Sequence, residues 1–93
     1  MNIPVEELKH EIKVLILDTL KITDVKPRDI DDAEPLFGAG NTIGLDSIDA
    51  IEIIMALQKK YDVRLDDQNL ARVILTSITT IAEFVIKEKG LTG

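Results

Sequence analysis

The 93-residue sequence contains no cysteine, which excludes disulfide bonds, thiol catalysis and cysteine-bound metal sites. Aromatic residues make up only 3% of the chain, so a core must be built almost entirely from aliphatic side chains. No apolar stretch approaches the roughly 20 residues that cross a bilayer. The opening "MNIPVEELKHEIK" lacks the basic start and apolar run of a secretion signal. We therefore expect a cytoplasmic protein without membrane insertion.

Positive charge is also scarce, since 11 lysines and arginines stand against 17 acidic residues and the formal net charge is −6. An acidic protein repels phosphates, so we expect no nucleic acid partner. The acidic residues are concentrated between positions 31 and 67. Charged residues usually form only a solvated surface. The clustering of these acidic residues around one segment favours a surface that binds basic proteins.

Apolar residues recur at helical spacing, and no alternating strand pattern, repeat or linker is present. We predict an all-α four-helix bundle, a single domain over residues 1–93, with three longer helices, one short helix and a long loop between helices one and two. The short third helix is expected to turn Leu70, Val73 and Ile74 inward. Thr80 and Glu83 have the spacing of a capping box for the last helix. The first, third and fourth predicted helices cover residues 4–20, 68–74 and 81–89. The second predicted helix begins at the motif of residues 44–47 and ends near residue 61.

The second helix has two apolar stripes instead of the single stripe that a surface helix needs. Their centres lie about 140° apart around the helix. We interpret the second stripe, with Asp49 and Glu52 beside it, as an exposed strip that contacts a partner. The alternative is that this stripe packs under the long loop. The first stripe comprises Ala50, Ile53, Ile54, Leu57 and Tyr61, and the second comprises Ile48, Ile51 and Met55.

Catalytic and metal-binding arrangements are missing around the serine at the start of this helix. Ser47 has no nearby base, because the single histidine, His10, lies far along the chain and is interpreted as a helix-surface residue. "DSIDAIE" lacks the spacing of a calcium loop, and "GAGNTIG" lacks that of a nucleotide-binding loop. We therefore expect no catalytic residue, no metal site and no enzymatic activity. Asp46 is predicted to cap the helix, which leaves the Ser47 hydroxyl exposed.

The segment "GLDSIDAIEIIMAL", residues 44–57, closely resembles the phosphopantetheine attachment segment of acyl carrier proteins. Their pattern is Gly-(Leu/Ile/Val)-Asp-Ser-(Leu/Ile)-Asp. The first amphipathic helix, "PLF" at 35–37, the acidic turn after helix two and the final "TTIAEFVI" also lie where this family has them. The resemblance covers nearly the whole chain. It implies a free-standing carrier with the acyl carrier bundle.

The resemblance also implies a role for individual residues. Ser47 corresponds to the serine that a phosphopantetheinyl transferase joins to 4'-phosphopantetheine from coenzyme A, with magnesium held by the transferase complex. The arm then carries acyl groups as thioesters to acyl-processing enzymes that have basic docking patches. We expect the carrier to be a monomer. The family positions that contact partners correspond to Asp46, Ile48, Asp49, Ile51, Glu52 and Met55.

Two segments depart from general fatty-acid carriers. The link "GAGNTI" at 38–43 is glycine-rich and uncharged, and helix two ends in "QKKY" instead of a glutamate run. These changes favour a dedicated carrier, with fatty-acid, lipid, lipopolysaccharide and polyketide synthesis all remaining open. A different class of function is a helical adaptor that binds a basic partner through helix two and never carries an arm. Such an adaptor does not require serine at position 47.

Overall fold

The computed structural model describes residues 4–38 and 43–90. Within these ranges the protein is helical, without strands, and a single parallel bridge joins Phe37 to Leu45. This confirms the predicted fold class of three longer helices and one short helix, with a long loop after the first. The described helices are α1 (Val5–Thr19), α2 (Ser47–Tyr61), α3 (Gln68–Ile74) and α4 (Ile78–Lys89).

α1 begins at Val5, and Pro4 is its N-cap. The sequence predicted Pro4 as the first helical residue, so the helix starts one residue later than expected. Glu6 and Glu7 occupy the first turn, where carboxylates interact favourably with the helix dipole. The helix ends one residue before the predicted Leu20. None of the described helices is long and apolar enough to span a bilayer.

α4 begins three residues before the predicted start, because its N-cap is Ser77. The Thr80 amide donates to Ser77 Oγ at 3.2 Å, and the Ser77 amide donates to Thr80 Oγ1 at 2.9 Å. The predicted capping box of Thr80 and Glu83 is therefore wrong. The earlier start places Ile78 fully inside the core, and Gly90 ends the helix with a positive φ, as expected.

α3 has the predicted bounds, but it buries a different face. Leu70 and Val73 are exposed, contrary to the prediction, whereas Ile74 is buried as expected. Ala71, Ile74 and the following Leu75 share the buried face because they lie three and four positions apart. A seven-residue helix is too short for its apolar pattern to define one face.

The core is aliphatic and receives side chains from all four helices and from the long loop. Ile30 and Leu36 attach the loop to this core. Each such burial contributes roughly 1.5–3 kcal/mol before entropy is counted. The largest fully buried side chains are Leu8, Ile12, Ile16, Leu36, Ile53, Leu57, Leu75, Ile78, Ile81 and Val85.

Asp32 connects the long loop to both α1 and α4. Its carboxylate lies 2.6 Å from Lys13 Nζ and 3.6 Å from Lys9 Nζ, and its carbonyl accepts hydrogen bonds from the amide and hydroxyl of Thr79. Hydrogen bonding to the Lys13 ammonium, helped by attraction to both lysines, lowers the pKa of Asp32 despite its partial burial. Asp32 thus fixes the loop that leads to the start of α2.

We predict that Asp32→Asn lowers the free energy of unfolding by about 1 kcal/mol near neutral pH, as a partly buried ion pair does. The folded-state pKa lies below the unfolded value of about 3.9, so this contribution is present above that pH and is lost as pH falls. Urea unfolding should show a constant difference from the wild type between about pH 7 and pH 5, shrinking below about pH 4. Asp24→Asn, at an exposed loop position, is the matched control. An equal effect of both variants would contradict the role of Asp32.

Candidate functional site

α2 starts at a fixed residue because two carboxylates cap it reciprocally. The Asp49 amide donates to Asp46 Oδ1 at 2.9 Å, and the Asp46 amide donates to Asp49 Oδ2 at 3.2 Å. Immediately upstream, Gly44 has φ +67°, a conformation that favours glycine, and Leu45 is buried. The predicted N-cap Asp46 is confirmed, and Ser47 becomes the first helical residue.

The two serines of the chain occupy opposite situations. Ser47 is exposed, and its hydroxyl makes no hydrogen bond with any residue in the described ranges. Ser77 is only 5% exposed, and its hydroxyl caps α4. Ser47 is therefore the serine whose hydroxyl an external molecule can reach, and Ser77 has the local structural role expected for it.

Beside Ser47, a groove of about 430 Å³ lies between α2 and α3. No pattern in the sequence predicts this groove. Ile54 packs against the core, as its stripe predicts, but it also lines this groove and is only half-buried. The helical pattern shows which way Ile54 faces, but the position of α3 determines what covers it. The lining residues are Phe37, Ser47, Ala50, Ile51, Ile54, Ala71, Arg72 and Leu75.

The second stripe of α2 is exposed, as interpreted from the sequence. Ile48, Ile51 and Met55 are 69%, 58% and 63% exposed, so the alternative in which the long loop buries them is wrong. Asp46 and Glu52 are exposed beside them, whereas Asp49 is half-buried and engaged in the cap. Residues 39–42 of the glycine-rich link lie outside the described residues. The strip of six predicted contact residues is thus continuous along α2, although its docking role stays a prediction.

Other polar groups lie away from this arrangement. His10 is exposed on α1, and it lines a shallow cavity with Lys13, Lys26 and Arg28. Tyr61, at the far end of α2, donates from its hydroxyl to Glu11 at 3.1 Å, and burial raises its pKa. Among the residues that the structure describes, no three histidine or acidic side chains are grouped so as to hold a metal ion.

The model of the protein family described as "phosphopantetheine attachment site" matches residues 10–85. The match extends from α1 into α4 and includes Ser47, the capping pair and the groove. Members of this family carry covalently attached 4'-phosphopantetheine. The site fits that group, because an exposed, unbonded hydroxyl at the first position of a helix stands beside a mostly apolar groove.

The two faces of α2 predict different responses to truncation. Leu57→Ala should cost roughly 2–5 kcal/mol of unfolding free energy, because Leu57 is fully buried. Met55→Ala should cost much less, since most of that side chain is already in water. Ile54→Ala should fall between them. Thermal melts of the three variants measure this order, and equal destabilisation by Leu57→Ala and Met55→Ala would place the second stripe in the core.

Proposed function

The chain belongs to the phosphopantetheine attachment-site family, and from this premise we propose that it is an acyl carrier protein with its arm on Ser47. We further propose that residues 1–93 form a single carrier domain that acts as a monomer in the cytoplasm. In this role the protein is a substrate and partner of enzymes and does no chemistry of its own.

One observation supports Ser47 above all others: the carboxylate of Asp46 performs the capping that a serine at a helix start usually performs. A serine that caps its helix directs its oxygen toward the backbone amides. Here that position is taken by Asp46, and the Asp49 carboxylate completes the pair. The Ser47 hydroxyl is therefore available to a transferase without any loss of helix capping.

The proposed attachment is a phosphoryl transfer. Ser47 Oγ bonds to the phosphorus of coenzyme A that bears the pantetheine, and the phosphoanhydride bond to the adenosine bisphosphate breaks. The hydroxyl proton passes to a base of the transferase, because no histidine or lysine of this chain lines the groove at Ser47 among the described residues. Magnesium belongs to the transferase complex in this scheme. When attached, 4'-phosphopantetheine supplies a terminal thiol that holds an acyl group as a thioester.

The groove beside Ser47 supports a carrier over a plain helical adaptor. Phe37, Ile54 and Leu75 give it apolar walls, and its volume of about 430 Å³ suits the partial shelter of an aliphatic chain. We propose that acyl groups enter this groove from the Ser47 end. An adaptor that uses only the outer strip of α2 has no need for an apolar groove that opens at a serine.

The exposed strip of α2 is the proposed docking surface for the transferase and for acyl-processing enzymes. Ile48, Ile51 and Met55 offer apolar contact, and Asp46, Asp49 and Glu52 offer charge to basic patches. Lys59 and Lys60 remove negative charge at the other end of α2. We propose on this ground a carrier dedicated to one pathway of fatty-acid, lipid, lipopolysaccharide or polyketide synthesis, whose enzymes contact the first turns of α2.

We predict that Ser47 is the sole attachment site. After incubation with coenzyme A and a broad-specificity transferase, the intact mass of the wild type should rise by one 4'-phosphopantetheine, and that of Ser47→Ala should not change. Ser77→Ala is the control: it loses its cap and about 1 kcal/mol of stability, yet should gain the same mass. A mass gain in Ser47→Ala would contradict the assignment, and no gain in the wild type would favour the adaptor.

We also predict that Glu52→Lys slows modification severalfold, because it places a positive charge opposite the basic patch of the transferase. The exposed side chain makes the effect on folding small, within about 0.5 kcal/mol. Glu83→Lys, an equal charge change at an exposed position of α4, should leave the rate near that of the wild type. Added salt should slow the wild type toward the rate of Glu52→Lys.

Asp49→Lys should slow modification as well, but it should also weaken folding, because Asp49 completes the cap of α2. Equal rates for Glu52→Lys and Glu83→Lys would place the docking surface outside this strip.

A further inference from the structure

We propose that Arg72 of α3 binds the phosphodiester that links Ser47 to its arm, and so fixes the direction in which the arm leaves the protein. This inference rests on the proposed function of Ser47. Arg72 is the single charged residue among the described side chains that line the groove, and Ser47 is the other polar one. A guanidinium and an acceptor serine thus share one otherwise apolar groove.

A series of hydrogen bonds connects the residues just before α2 with the end of α3. The Leu45 amide donates to the Leu36 carbonyl at 2.7 Å, and the Leu36 amide donates to the Thr76 carbonyl at 3.0 Å. Thr76 in turn donates from its hydroxyl to the Arg72 carbonyl at 3.3 Å. These three bonds connect the residues just before Ser47 to the turn that carries Arg72. The groove therefore has Ser47 among its lining residues from α2 and Arg72 among those from α3.

The Arg72 guanidinium is available for an anion. It forms no ion pair or hydrogen bond with residues in the described ranges, although the protein as a whole is acidic. A basic residue in the last turn of a helix also interacts favourably with the helix dipole, and Arg72 occupies that turn of α3. An arginine at either exposed position of this turn, 72 or 73, would interact with the dipole in the same way, but of these two positions only Arg72 lines the groove.

Charge at the start of α2 explains why a cation is needed there. A phosphodiester on Ser47 adds a negative charge between Asp46 and Asp49, which repel it. The partial positive charge at the start of the helix offsets part of this repulsion. Arginine adds a full positive charge and two parallel donors that match a pair of phosphate oxygens. Arg72 is therefore a positioning residue that draws the near end of the arm toward the groove.

Nuclear magnetic resonance of the unmodified and modified proteins tests this proposal without relying on activity. In the wild type, the side-chain Nε–H signal of Arg72 should shift and exchange more slowly with water after modification. The signal of Arg64, an exposed arginine between α2 and α3, should not change. The phosphorus signal of modified Arg72→Gln should differ from that of the wild type, whereas Arg64→Gln should match the wild type. Added salt should reduce the wild-type shift.

Two results would overturn the proposal and are distinguishable from each other. If the mass of the wild type rises by one arm but its Arg72 signal and the phosphorus signal of Arg72→Gln stay unchanged, Arg72 does not bind the phosphodiester, and the carrier function stands. If Ser47 gains no arm at all, the carrier function fails and this inference fails with it. The wild-type comparison needs no substitution, so it decides the question even if Arg72→Gln is unstable.

Discussion

The reciprocal hydrogen bonds between Asp46 and Asp49 determine where α2 begins, and the proposed site depends on that position. They place Ser47 at the first helical residue with its hydroxyl toward solvent. Burial of Ile53 and Leu57 in the core sets the rotation of α2, which leaves Ile51 and Met55 exposed. The capping pair and the buried stripe together therefore expose Ser47 and the proposed docking strip.

The groove arises from a second constraint, the shortness of α3. Seven residues bury only one narrow face through Ala71 and Ile74, so α3 covers α2 incompletely. The half-buried Ile54 and the small side chain of Ala50 leave the space that opens at Ser47. Phe37 of the long loop also lines this space, and Leu36 and Asp32 connect the loop to the residue pair after α3, to α1 and to α4. Ser47 therefore lines a groove formed by α2, α3 and the long loop.

The sequence predicted the features that depend on neighbouring residues. The bounds of α3, the end of α2, the Asp46 cap and the exposure of the second stripe follow from spacing and side-chain chemistry over a few residues. The predicted start of α4 was wrong because the sequence offers two overlapping N-caps, Ser77 and Thr80. Burial of Ile78 favours the helix start at Ser77. The family pattern in residues 44–57 supplied the arm, which no physical argument from the residues provides.

The groove and the position of Arg72 could not be predicted, since both depend on contacts between segments far apart in the chain. The bonds from Leu36 to Leu45 and Thr76 join the long loop to the residues just before α2 and just before α4, and no local pattern encodes them. Leu70 and Val73 show the same limit, because a seven-residue amphipathic pattern is compatible with more than one buried face.

The most direct measurement of the central claim is fragmentation mass spectrometry of the transferase-treated protein, which locates the added group within residues 44–57. The account predicts one 4'-phosphopantetheine on Ser47, and a group on any other residue, or none, would contradict it.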